Sequence, residues 1–363
     1  MSKDIWHFPR SALAQQVLGL FETGLSSALV FFAPRRMGKT EFLRKDIQPL
    51  AVKKGWAVLY FSFLDTGENV QEEYVHALTN FAETIGAIST TNSLFSRVRK
   101  IGAEAAGVGK ASVELTPIQN AILDMKAIFS HLANHGKIIL LMDEVQVLTR
   151  HETNQQFIAG LRTAFDIYKD SLKIIFTGSS REGLRRMFSK STAPFFHFGQ
   201  NLPFPDLDQQ FTDYLSNAFY DVTKRRLDNQ VLWDTFITMD KVPQLARSLV
   251  ERLALNPNQS IVEAKESLLA DLSDDRAYVG VWGESSVLEQ LLLREVANGP
   301  GGLFSENRRL TFAKTLGVPT ITVPSVQSAL RVLLRKYLVG KLPDRAGYFI
   351  DDPNFKSWLQ LLQ

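Results

Sequence analysis

Six apolar residues, Ala28 to Ala33 (ALVFFA), run into Pro34-Arg35-Arg36-Met37-Gly38-Lys39-Thr40, and a helical stretch follows at once. A strand that opens through a Gly-Lys-Thr turn into a helix is the setting of a phosphate-binding loop. Three further apolar runs have strand length: Trp56 to Phe63 (WAVLYFSF), Ile138 to Met142 (IILLM) and Lys173 to Thr177 (KIIFT). Short, mostly apolar runs suit strands buried on both faces, and the helical stretches between them predict a parallel sheet flanked by helices, an α/β fold.

The chemistry of the loop follows from backbone geometry. N–H groups from the loop and the helix N-terminus face phosphate oxygens, and the helix dipole adds positive potential there. Lys39 is placed to reach the β and γ phosphates of ATP, and the Thr40 hydroxyl to ligate Mg²⁺. Ala33 stands where the G-x-x-x-x-G-K-[ST] pattern has its first glycine, while Gly38 keeps the position of closest backbone approach. Arg35 and Arg36 add positive charge beside it. Taken alone, the same eight residues also fit a chance turn, and the partner motifs have to decide.

The third run delivers Asp143-Glu144 at its C-terminal end, the edge at which open α/β sheets bind their ligands. Asp143 is the candidate Mg²⁺ residue. Glu144 is the candidate base for the attacking water, which makes the pair a Walker B motif. The competing reading is a helix cap, a common use of acidic residues. The fourth run ends in Thr177-Gly178-Ser179-Ser180, with Ser179 the first candidate for a γ-phosphate sensor, Thr177 the second, and an ordinary loop turn the bland alternative.

Composition removes other classes. The 363 residues include no cysteine, which excludes disulfides, thiolate zinc sites and cysteine nucleophiles and suits a cytoplasmic protein. The six histidines form no metal-ligand spacing. The N-terminal MSKDIWHFPR has no apolar signal core and the apolar runs are too short to span a membrane. A length of 363 residues exceeds one core, so several domains are expected.

Downstream, Thr116-Pro117 predicts the start of a helix with Ile118, Ile122, Met125, Phe129 and Leu132 on one face, closed by Gly136. Asn92 to Leu115 carries neither period, and an insertion or a small hairpin are both open. After Pro205 the pattern turns helical, including Asp208 to Tyr220 and Gln230 to Leu253. From Gly283 a helix over Ser285 to Ala297, a Gly299-Pro300-Gly301-Gly302 break, a helix over Asn307 to Leu316 and a longer one from Pro324 precede a short apolar pair around Gly340 to Gly347. Helix, turn, longer helix and hairpin predict a winged helix-turn-helix, with Val326, Leu330, Leu333 and Tyr337 inward. The expected domains are residues 1–204, 205–282 and 283–363.

The nucleotide motifs, in order, resemble the archaeal-type ATPase family, related to the AAA+ and STAND groups and more distantly to the origin-recognition initiators. The resemblance rests on Pro34-Arg35-Arg36 before Gly38-Lys39-Thr40, Asp143-Glu144-Val145-Gln146, Thr177-Gly178-Ser179-Ser180, Ala193-Pro194-Phe195-Phe196, Val242-Pro243 and Tyr348 to Trp358. It implies an AAA+-like P-loop core of the glutamate-using (ASCE) branch, a helical lid and a C-terminal winged helix. Where relatives carry a Gly-Arg pair this chain reads Gly199-Gln200, and Gln244 stands where initiator-like relatives place a sensor arginine. Arg181, Arg185 and Arg186 are the remaining arginines near the fourth strand, either reaching a neighbouring subunit's nucleotide or simply solvated.

The net charge of +3 resides in Gly283 to Gln363, where ten Lys/Arg face seven Asp/Glu. Ser328, Arg331 and Arg335 recur on one face of the longer helix, and Lys341 and Arg345 fall on the expected wing. These residue types suit phosphate and base contacts on double-stranded DNA. Docking to a protein partner, or self-association, is the alternative for the same unit.

Overall fold

The computed structural model describes residues 4–64, 69–86, 117–189, 193–273, 276–299, 302–342 and 347–362. Helix α1 (Ser11–Glu22) precedes strand β1 (Ala28–Phe32). A helix in three consecutive pieces, Lys39–Glu41, the π-type Phe42–Ile47 and Gln48–Lys53, is taken together as α2. Strand β2 (Ala57–Ser62), α3 (Val70–Thr84), α4 (Pro117–His135) and β3 (Ile138–Asp143) follow, then α5 (Gln155–Ile167), β4 (Leu172–Gly178) and β5 (Gln200–Pro203).

All five strands are parallel, in the order β2-β3-β4-β1-β5. Strand β4 therefore lies between β1, which feeds the phosphate loop, and β3, which ends in Asp143. Alternation sorts each strand between two cores. Leu29, Phe31, Ile139, Leu141 and Ile175 pack toward α1, α2 and the later helices, whereas Ala28, Val30, Leu140, Met142, Ile174 and Phe176 pack toward α3, α4 and α5. Strands β1, β3 and β4 are buried almost throughout; β2, at the sheet's edge, is half-buried along its length.

Strand β5 was not among the expected runs. Its sequence, QNLP, is short and mostly exposed, and Pro203 is tolerated because the strand lies on an edge. The expected helical stretch Gln230 to Leu253 is two helices. After α6 (Gln209–Thr223) come α7 (Asn229–Thr238) and α8 (Pro243–Leu255), separated where Asp240 and Lys241 both take left-handed backbone angles, φ 53°. Helix α9 (Ile261–Ser273) completes this layer, and residues of α6 to α9 share the α2-side core of the sheet.

The last part holds α10 (Arg276–Gly283), α11 (Val287–Asn298), α12 (Glu306–Leu316), α13 (Val323–Arg335), the antiparallel pair β6 (Val339–Lys341) and β7 (Tyr348–Ile350), and α14 (Pro353–Leu361). Ser286 and Glu289 cap α11 reciprocally, and Gly317, at φ 66°, ends α12. A third core joins these elements, with Val326, Leu330 and Leu333 inward as expected. Tyr337 is not on the helix: it lies past its end, at φ 56°, and is half-buried. Tyr278, Val281 and Trp282 of α10 also pack in this third core. Asn92 to Leu115, Thr116 and Arg345 lie outside the described residues.

Candidate nucleotide site

Strand β1 stops at Phe32, and the chain turns through two left-handed residues, Arg36 at φ 68° and Gly38 at φ 87°, before α2 begins at Lys39. Gly38 meets that demand without a Cβ. Ala33 is not among the left-handed residues, so its methyl group brings no backbone strain to the position of the missing glycine. Lys39 is 4% exposed and donates to the carbonyls of Ala33 (2.7 Å) and Pro34 (2.9 Å). Burial pulls its pKa below the usual lysine range, with Glu144 and Asp143 opposing the shift.

The carboxylates meet this loop because of parity and strand order. Asp143 continues the Ile139, Leu141 alternation, Thr177 continues Ile175, and Tyr60 follows Val58, so all three side chains belong to the face covered by α2. Asp143, 1% exposed, consequently accepts from three sides: Oδ2 from Thr40 Oγ1 (2.5 Å) and Tyr60 OH (3.0 Å), and Oδ1 from the Thr177 hydroxyl. Burial, then Asp143, push the Tyr60 phenol above its usual range, so it stays a donor.

Glu144 sits in the left-handed region, φ 55°, where the chain leaves β3 for a 3₁₀ turn over Val145–Arg150. Its Oε2 accepts from Gln146 Nε2 (2.5 Å), Ser179 Oγ (2.6 Å) and Ser179 N (3.3 Å), and its Oε1 is 3.9 Å from Lys39 Nζ. The two sensor candidates thus hold different carboxylates, Ser179 on Glu144 and Thr177 on Asp143. Of the expected nucleotide-site residues, Lys39, Thr40, Asp143, Glu144 and Ser179 come together here. Tyr60 and Gln146 were missed as site residues. Tyr60 was signalled only by a hydroxyl at the α2-facing parity of an apolar strand.

Mg²⁺ takes oxygen ligands and is bound in nucleotide sites by one or two protein oxygens plus phosphates and water. Thr40 Oγ1 and Asp143 Oδ2, adjacent at the start of α2, are donors of that kind. Among the described residues there is no group of three or more His, Asp or Glu that could hold a metal.

Other parts of the loop face elsewhere. Arg10 donates to the carbonyls of Met37 (3.3 Å) and Pro205 (2.5 Å) and stacks on Phe204, and burial pulls its pKa down to about 10. Arg35 is exposed. Arg36 donates to Tyr278 OH at 3.1 Å and lies 3.5 Å from Asp352, to which Tyr278 also donates at 3.2 Å. Lys356 of α14 pairs at 2.6 Å with Asp240, between α7 and α8. A 510 Å³ cleft lined by Pro34, Met37, Asp240, Tyr348 and Lys356 separates the loop from β7 and α14.

Ser328, Arg331 and Arg335 are exposed on α13, and Lys341 is exposed at the end of β6. Lys341 and Arg185 line a second cleft that also contains Phe32 and Pro34. The side chains of Arg181 and Arg186 lie outside what the structure describes.

A parallel sheet with a strand between the phosphate-loop strand and the acidic strand, together with this loop, defines a P-loop ATPase that hydrolyses ATP. Residues 8–197 match the family of ATPase domains found predominantly in Archaea, and the chain belongs to that family. Among solved structures it is similar to the Walker-type ATPase of Pyrococcus abyssi, with 16% identity over 98% of this chain and 96% of that one, TM-score 0.66. It is also similar to the ORC2 protein of Aeropyrum pernix in ADPNP–ADP complexes, with 14% identity, 97% and 92% coverage and TM-score 0.55. The ADP form of that protein gives 14%, 97%, 93% and 0.52. These identities speak to fold alone. No curated protein matches the chain. Among the described residues no helix is long and apolar enough to cross a membrane.

Proposed function

We propose that Mg²⁺-dependent ATP binding and hydrolysis drive a conformational switch in a cytoplasmic protein, and that the C-terminal unit is a winged helix that binds double-stranded DNA. The nucleotide cradle is residues 33–40, with Lys39 leaving the Ala33 and Pro34 carbonyls for the β and γ phosphates. Thr40 and Asp143 would hold Mg²⁺, which supplies charge neutralisation at the phosphates. Glu144 orients and deprotonates the attacking water, and Ser179, bonded to it, reports the γ-phosphate. The working division is 1–204, 205–282 and 283–363, with α10 packed on the C-terminal side.

One observation carries the switch. Arg36, inside the phosphate loop, is held by Asp352 and Tyr278 of the C-terminal part. A nucleotide phosphate brings a competing anion to the same loop, so nucleotide binding and C-terminal docking are coupled through one guanidinium. The cysteine-free chain allows two labels to be placed cleanly, at Val52→Cys and Leu310→Cys, both exposed positions. Energy transfer between them should fall when ATP is added to the Glu144→Gln protein, and Asp352→Asn with Tyr278→Phe should lower it without nucleotide. No change in either case removes the switch.

DNA binding is supported by the exposed Ser328, Arg331 and Arg335 on α13 and by the exposed Lys341 at the end of β6. A DNA titration at two salt concentrations tests it, since phosphate contacts make affinity fall with salt. The unit's excess charge is small for a DNA binder; absence of salt-dependent binding would transfer the unit to the protein-docking reading.

A further inference from the structure

Gln146 has no assigned task, yet the fold is shaped around it. It is 3% exposed, in the first turn after the acidic pair. Its Nε2 reaches both Glu144 Oε2 (2.5 Å) and Ser179 Oγ (3.3 Å), while the Ser179 hydroxyl donates to the same Glu144 oxygen. Amide, hydroxyl and carboxylate form one directed chain ending on Oε2, which leaves Oε1 toward Lys39.

Two glycines make room for this side chain. A Cβ on Gly178 would lie 2.4 Å from Gln146 Oε1, and one on Gly183 would lie 2.7 Å from Gln146 Cβ. Gln146 Oε1 is buried with no hydrogen-bond partner among the described residues. A buried acceptor left unpaired is destabilising, so stability alone does not account for an amide here, whereas its donor end meets the one carboxylate placed to act on water.

We infer that Gln146 is a positioning residue for hydrolysis: by clamping Oε2 together with Ser179 it fixes the rotation of the Glu144 carboxylate and presents Oε1 to the water. This rests on the assignment of Glu144 as the base. A carboxylate free to rotate still binds no nucleotide and blocks none, so loss of the clamp should lower kcat and leave KM alone.

Gln146→Met keeps the length and most of the buried volume and removes the donor. In the full chain kcat should fall roughly ten- to hundredfold, the effect of one hydrogen bond to a charged group, with KM for ATP unchanged and no further loss when Gln146→Met is added to Glu144→Gln. If kcat is that of the parent, or KM rises by the factor that kcat falls, the inference is overturned. If Gln146→Met does not fold, Gly183→Ala, which displaces Gln146 without touching Glu144, takes its place with the same two outcomes. Full activity in Glu144→Gln alone would instead remove the base assignment on which the inference rests.

Discussion

At the carboxyl edge of the sheet, Asp143 accepts hydrogen bonds from Thr40, Tyr60 and Thr177, and Glu144 from Gln146 and Ser179, all in or beside buried strand ends. On α13, Ser328, Arg331 and Arg335 face solvent, and their side chains make no hydrogen bond or ion pair with another described residue. The first region is prepaid in structure: its groups hold one another in place before any ligand arrives, and their contributions are coupled. The second offers independent side chains on a helix whose stability comes from its other face. Changes at the sheet edge should therefore be large and non-additive, those on α13 modest and additive.

The strongest break is Lys39→Ala, which deletes the buried lysine at the start of α2, the cation proposed to reach the β and γ phosphates. Phosphate release should drop roughly a thousandfold or to background, with nucleotide affinity lost as well; parental turnover would end the loop assignment. Glu144→Gln comes next. The amide keeps the shape and loses the basicity, so turnover should fall about 10²- to 10⁴-fold while a fluorescent ATP analogue binds as before. Normal hydrolysis in that protein would place the base elsewhere.

How much of this was legible differs by element, for physical reasons. Strands β1, β3 and β4 are buried on both faces, so apolar runs located them to within a residue. Strand β5 pairs with β1 along four residues of which only Leu202 packs against the core, so it carries almost no apolar signal. The break between α7 and α8 was hidden because Asp240 and Lys241 adopt left-handed angles without a glycine to announce them. In the site, Lys39, Thr40, Asp143 and Glu144 are contiguous pairs and spacing finds them. Tyr60 meets Asp143 only because β2 lies beside β3, and Gln146 meets Glu144 only because a 3₁₀ turn folds the chain back. Strand order and turn type are not written in spacing.

The coupling at the sheet edge can be measured rather than inferred. Tyr60→Phe and Thr177→Val each remove one donor to Asp143 and should each lower turnover by about tenfold. The double variant should lose measurably less or more than the product, because both donors share one carboxylate, with a coupling of about 0.5–3 kcal/mol. Strict multiplicativity would mean that the two donors act on Asp143 independently of each other.

The smallest effects are expected on α13, where Arg331→Ala and Arg335→Ala should leave the ATPase rate and the unfolding midpoint as they are. Both residues are exposed, and the core contacts of the helix run through Val326, Leu330 and Leu333 on its other side. The sensitive quantity is the salt dependence of DNA binding. An arginine on a phosphate adds about one unit to the slope of log affinity against log salt for every sequence, whereas one that reads a base is worth about 1–3 kcal/mol at one position. Independent contacts predict that the double variant loses the sum of the two single losses. If the sum fails, the two arginines share a contact and α13 is no longer the independent surface that its solvent-facing side chains describe. If the folded double variant binds DNA as the parent does, the DNA-contacting surface lies elsewhere on the molecule, and α13 becomes the face to probe for a protein partner.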